Sequence, residues 1–116
     1  MVAKLKLGRS TFFAIRATFA PALDDLNASH PFDRALAAAK QSFLAAMHLP
    51  GAYGGTVRGT FTDAEVALLG EEFQHLGSTP GLIDEFETTR RNDQIRLAFL
   101  NLAAGFGVRT ELQEAA

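Results

Sequence analysis

"STFFAIRATFAPALDDL", residues 10–26, fits two kinds of backbone. Phe12, Ile15, Phe19, Leu23 and Leu26 recur at helical spacing, with Ser10 placed as an N-cap. Phe13, Ile15, Ala17 and Phe19 alternate as a strand would, and "AKLKL" at 3–7 stands just before Gly8 as a hairpin mate. A helix here makes the chain mainly α; a strand makes it a mixed protein. Pro21 lacks a backbone donor and so kinks or restarts whatever precedes it. We adopt the helix and keep a short β-hairpin or extended segment within residues 2–19 as the alternative.

The segments downstream read more simply. In "SHPFDRALAAAKQSFLAAMHLPG", residues 29–51, Ser29 or His30 caps a helix and Pro31 sits in its first turn. Asp33 favours the positive end of the helix dipole. Phe32, Leu36, Ala39, Phe43 and Met47 line one face, and Pro50 and Gly51 stop it. Thr62 and Glu65 form a capping box for the next helix, with Val66, Leu69, Phe73 and Leu76 as its apolar stripe. Gly77 reads as its left-handed terminator. Thr79 and Pro80 restart the chain toward Leu82, Ile83 and Phe86. That helix either runs on or breaks near Asn92, where Asp93 caps a last helix with face Ile95, Phe99, Leu102 and Phe106. Gly105 and Gly107 close it, and residues 108–116 form a loose tail. Each helix is apolar on one side only and must bury that side against another. The expectation is a mainly α domain over residues 1–116, a bundle of four to five helices, with a short extended segment at 56–61.

Composition narrows the chemistry. The 116 residues include ten phenylalanines and no cysteine, so a packed interior is available without staples. Disulfides, thiolate zinc sites, iron–sulfur clusters and cysteine nucleophiles are excluded. Arg16 breaks the N-terminal apolar run into about four to seven residues, short of a signal core's roughly seven to fifteen, and no run nears the ~18 of a membrane span. The expectation is a soluble, cytoplasmic protein with no membrane contact.

"GAYGGTVRGTFTDAE", residues 51–65, looks most like a phosphate loop. Its glycines match neither the lysine-bearing loop nor the dinucleotide fingerprint. Thr62, Asp63 and Glu65 put capping oxygens and negative charge where a phosphate needs free amides. A joint between helices fits better, and no cofactor is expected. Glu71, Glu72 and His75 supply half of a carboxylate–histidine metal set; the other half is missing, so no metal is expected. His30, His48 and His75 are the candidate bases, Asp24 with Asp25 and Asp84 with Glu85 the carboxylate pairs. Ser10, Ser29, Ser42 and Ser78 lack a nucleophile context. Nothing nominates a catalytic residue, and the reading favours a protein that is not an enzyme.

Charge is unevenly spread within a net −2. Lys4, Lys6, Arg9 and Arg16 occupy residues 1–16 without an acid. Glu71, Glu72, Asp84, Glu85 and Glu87 belong to residues 62–87, which have no lysine or arginine. These two poles are the candidate partner-binding residues, Glu71 and Glu72 being expected to face solvent. The function expected is a small protein-binding module (inhibitor, adaptor or assembly protein) that contacts another protein or its own copy, as in a homodimer. The alternative is a nucleic-acid-binding regulator using basic residues 4–16 and a helix-turn-helix-like stretch at 62–91. That stretch would turn Asp84, Glu85 and Glu87 toward phosphate oxygens, which counts against it.

Overall fold

The computed structural model describes residues 2–49, 52, 55–78 and 89–107, with side chains from residue 95 onward in the last span. The elements in chain order are strand β1 (Val2–Lys6), helix α1 (Arg9–Ala22), a 3₁₀ turn (Leu23–Asn27), helix α2 (Pro31–Ala46), strand β2 (Thr56–Thr60), and helices α3 (Asp63–Ser78) and α4 (Thr89–Gly105). The described chain is mainly helical, with four α-helices and one two-stranded antiparallel sheet.

Residues 9–22 are helical, and burial shows why. Thr11, Ala14, Ile15 and Phe19 face inward at steps of three and four, while Phe13 is left 66% exposed. A strand would have buried Phe13 with Ile15. The helix starts at Arg9, with Gly8 as its N-cap and no capping side chain, so Ser10 lies inside the first turn and is not the cap expected of it. Pro21 occupies the last turn, and the chain tightens into 3₁₀ geometry directly after Ala22.

The mate of residues 2–6 is not residues 13–19. β1 pairs with β2 across two intervening helices, with Val2 opposite Thr60, Lys4 opposite Arg58 and Lys6 opposite Thr56. Those six form the outer face; Ala3, Leu5 and Val57 turn toward the core. Gly55, at φ 99°, reverses the chain into β2, a conformation that favours glycine, and its carbonyl accepts the Leu7 amide at 2.7 Å.

His30 caps α2, its Nδ1 accepting the Phe32 amide at 3.1 Å, and Pro31 follows as expected. Ala39, Phe43 and Met47 are buried, whereas Phe32 is 51% exposed and Leu36 half-buried, because the first turn of α2 projects past the core. Thr62 and Glu65 make the capping box of α3 in full: the Thr62 amide donates to Glu65 Oε1 at 2.8 Å, and the Glu65 amide donates to Thr62 Oγ1 at 3.1 Å. Leu69, Phe73 and Leu76 are buried, with Val66 packed at the margin.

Gly77 does not terminate α3 in a left-handed turn. It is buried within the helix, at negative φ, where α4 crosses closely. A Cβ there would lie 2.8 Å from both the Arg96 carbonyl oxygen and Leu100 Cγ. Asp93 does not cap the last helix either, since α4 already begins at Thr89 and runs through Asn92. Ile95, Phe99, Leu102 and Phe106 are buried as their spacing implies, and Gly107, at φ 91°, closes the helix. The expected stops at Pro50 and Gly51, the helix start at Thr79 and Pro80 with Leu82, Ile83 and Phe86, and the tail 108–116 lie outside the described residues.

Phe43 and Phe73 are the hub of the interior, their ring centroids 5.2 Å apart at 70°. Phe19, Phe61, Phe99 and Phe106 surround them, so each helix and the exit of β2 contribute a ring. Substituting Gly77 by alanine should destabilise the protein by ~1–3 kcal/mol, because overpacking against a backbone outweighs the ~1 kcal/mol gained in helix propensity. Gly105→Ala, whose Cβ would meet nothing nearer than 3.4 Å, should be neutral or mildly stabilising. Urea unfolding midpoints of the two variants check this opposition.

Candidate functional site

The glycine-rich stretch is a joint where it is described. Gly55 turns the chain, Gly59 lies in β2, and the α3 terminus beyond is filled by its own capping box. Asp63 and Glu65 both stand in the first turn of α3. The Glu65 carboxyl is held below its ordinary value of 4.5, first by a hydrogen bond with Ser42 of α2 and next by the Thr62 amide, against a smaller opposing effect of burial. Gly51 and Gly54 lie outside the described residues.

One member of the acidic pole, Glu72, is not placed as the sequence suggested. Glu71 is exposed, but Glu72 is not solvent-facing: its Oε2 lies 3.0 Å from Lys40 Nζ, and the two side chains are only 12% (Lys40) and 11% (Glu72) exposed. Lys40 also sits 5.5 Å from the centroid of the Phe19 ring. Glu72 is therefore committed to α2, and through Lys40 to α1, because an acid on the inner margin of α3 needs a cation once desolvated. Asp84, Glu85 and Glu87 lie outside the described residues. Glu71, Glu72 and His75 border an open cavity of about 680 Å³ with Phe32, Leu36 and Leu68. Among the described residues, no three histidine or acidic side chains gather as metal ligands do.

The basic pole is divided. Lys4 and Lys6 stand on the outer face of the sheet, and Arg58 joins them there, directly opposite Lys4. Arg9 opens α1, and Arg16 lies further along that helix; both are exposed. Among the described residues, none of these five cations forms a salt bridge. Arg58 escaped the sequence reading because it stood inside a stretch scanned for glycines. The alternation of "TVRGT" against "VAKLK" was the signal that pairs it with Lys4.

Arg16 borders a carbon-rich recess. Between α1 and α2 an open groove of about 550 Å³ is floored by Ala17, Ala20, Leu23, Leu44 and Ala45, with the Phe13 ring on its wall. Gln41 and His48 complete a polar rim with Arg16. Small side chains on facing helices leave the depression, and Phe13 reaches it because the core claims Phe19. Sequence reasoning missed this groove, since alanines at helical spacing look like core filler.

Comparison with protein-family models, curated proteins and solved structures finds no match to this chain. Among the described residues, no helix is long and apolar enough to cross a membrane.

The Glu65 linkage gives a test of the α3 terminus. A carboxyl with a lowered native pKa stabilises the fold fully above its unfolded value, and the contribution is lost as pH falls through the native value. The stability difference between the parent and Glu65→Ala should be constant above pH 5 and shrink as pH drops below 4.5, the ordinary value. Urea melts at stepped pH check it; a difference that does not change from pH 6 to pH 3 contradicts the cap's ionic character.

Proposed function

We propose that this protein is a cytoplasmic protein-binding module, an inhibitor, adaptor or assembly protein, that receives an amphipathic helical segment of another protein in the α1–α2 groove. The observation that carries this reading is Phe13, 66% exposed beside an open, carbon-lined groove. Burying a phenylalanine side chain is worth roughly 1.5–3 kcal/mol, enough to make one ring an anchor. A groove between two helices accepts a third helix by the same ridge packing that holds the first two. Arg16 on the rim selects a partner segment whose apolar face is flanked by carboxylates.

Synthetic amphipathic peptides sharing one apolar face, with either acidic or basic flanks, should separate in fluorescence anisotropy. The acidic peptide is expected to bind, and Phe13→Ser or Ala20→Glu to weaken it by roughly tenfold or more at unchanged melting temperature. Absence of binding, or preference for the basic peptide, would overturn the reading. A concentration-dependent dimer abolished by Phe13→Ser in sedimentation equilibrium would instead assign the groove to a second copy.

The nucleic-acid reading is favoured by one observation, the placement of Lys4, Lys6 and Arg58 together on the outer sheet face. It predicts oligonucleotide binding that falls steeply with salt and is lost on Lys4→Glu with Lys6→Glu. The helix-turn-helix stretch adds nothing to it, since residues 79–88 lie outside the described residues.

A further inference from the structure

Thr11 stands out as the buried polar residue among the described side chains, at 7% exposure, and it has no hydrogen-bond partner among those residues. A buried hydroxyl without a partner is costly, so native structures supply one as protein, water or ligand. Thr11 lines a cavity of about 230 Å³ between β1, the start of α1 and α4. Lys4, Lys6, Gly8 and Asn101 share that lining.

The start of α1 offers backbone donors beside it. Gly8 is the N-cap of α1 without a side-chain cap, and the first turn has no acidic residue. The Leu7 amide is used by Gly55 and the Phe12 amide by Gly8. The amides of Arg9, Ser10 and Thr11 have no backbone acceptor, as in the first turn of any helix. Arg9, at the first helical position, and Lys4 and Lys6 nearby place positive charge at the positive end of a helix dipole. That is unfavourable by itself and is reversed by an anion. The Lys4–Arg58 pair adds like charges directly across the strands.

We infer that this cavity binds a phosphate-class oxyanion, held by the Thr11 hydroxyl and the first-turn amides of α1 and neutralised by Lys4 and Lys6. The site is separate from the α1–α2 groove and stands on different residues. Its ligand is inorganic phosphate or the phosphoryl group of a small monoester; the tetrahedral oxyanion is common to both.

Titration of isotope-labelled protein with inorganic phosphate at constant ionic strength, followed by amide chemical shifts, tests the site without any substitution. Saturable shifts centred on residues 4–11 and the Asn101 side-chain amide are expected. Shifts that grow without saturating, or that centre elsewhere, would overturn it. Thr11→Val removes the hydroxyl while keeping its shape. Without phosphate this variant should melt at or above the parent, because an unpartnered buried hydroxyl has been removed. In saturating phosphate the order should reverse, with affinity lowered roughly tenfold for one lost charge-assisted hydrogen bond. General salt effects act on both proteins alike, so an unchanged melting order with equal phosphate response would leave water as the partner of Thr11 and end the proposal. Lys4→Gln with Lys6→Gln should weaken binding at least as much. Phenyl phosphate, run in parallel, separates the sources: tighter binding than inorganic phosphate assigns a monoester, equal or weaker binding the free ion. Phe13→Ser should retain the full phosphate response, so failure of the groove and failure of this site are distinguishable.

Discussion

The edge-to-face contact between Phe43 and Phe73 fixes most of what lies around it. Phe43 also approaches Phe19, Phe61 and Phe106 with centroids 6.0, 6.1 and 6.2 Å away, so rings from α1, β2's exit and the turn just past α4 close on a ring of α2. Aromatic packing of this kind is orientation-dependent as well as apolar, and it limits how each helix can rotate about its axis. Once Phe19 is committed to the interior, Phe13, six residues earlier, lies about 120° round the helix. The core thereby decides which side of α1 meets solvent, and with it the wall of the groove.

Lys40 and Glu72 extend this constraint at the margin of the interior. Their ion pair connects α2 to α3, and the position of Lys40 over the Phe19 ring connects both to α1. A pair so little exposed is costly to break, since either charge left alone would remain desolvated. It therefore opposes sliding of α2 along α3 more than it adds stability. That constraint removes Glu72 from the exposed acids and leaves Glu71 as the exposed member of the adjacent pair.

Most features encoded by neighbouring residues were legible in the sequence, although Ser10 and Asp93 were misread as caps, and features encoded by distance were not. The His30 and Thr62–Glu65 caps and the stripes of α3 and α4 are written within a few positions, and periodicity recovers them. The pairing of residues 2–6 with 56–60 is not local, and two five-residue strands carry too little pattern to outweigh a nearer apparent mate in 13–19. Gly77 shows the same limit: a glycine near a helix end reads as a terminator, while the backbone of α4 that requires it lies some twenty residues away. Of the candidate site residues, Lys4 and Lys6 kept a shared setting on the sheet, while Glu72 lost its exposure to a cation on another helix. Arg58, Thr11 and Phe13 gained significance only in three dimensions, when the sheet paired, the cavity closed over the α1 start, and the core excluded one ring.

A two-stranded sheet has no central strand, so both β1 and β2 are edge strands, the usual template for aggregation through added strands. Here the outer positions carry lysine at 4 and 6 and arginine at 58. A second copy laid against that surface would bring the same charges into apposition, and arrival of another strand alongside would crowd them further. The sheet is thus guarded against its own sequence by charge. Suppressing those cations to improve crystallisation or expression would remove the guard, and the first consequence would appear as loss of solubility before any loss of fold.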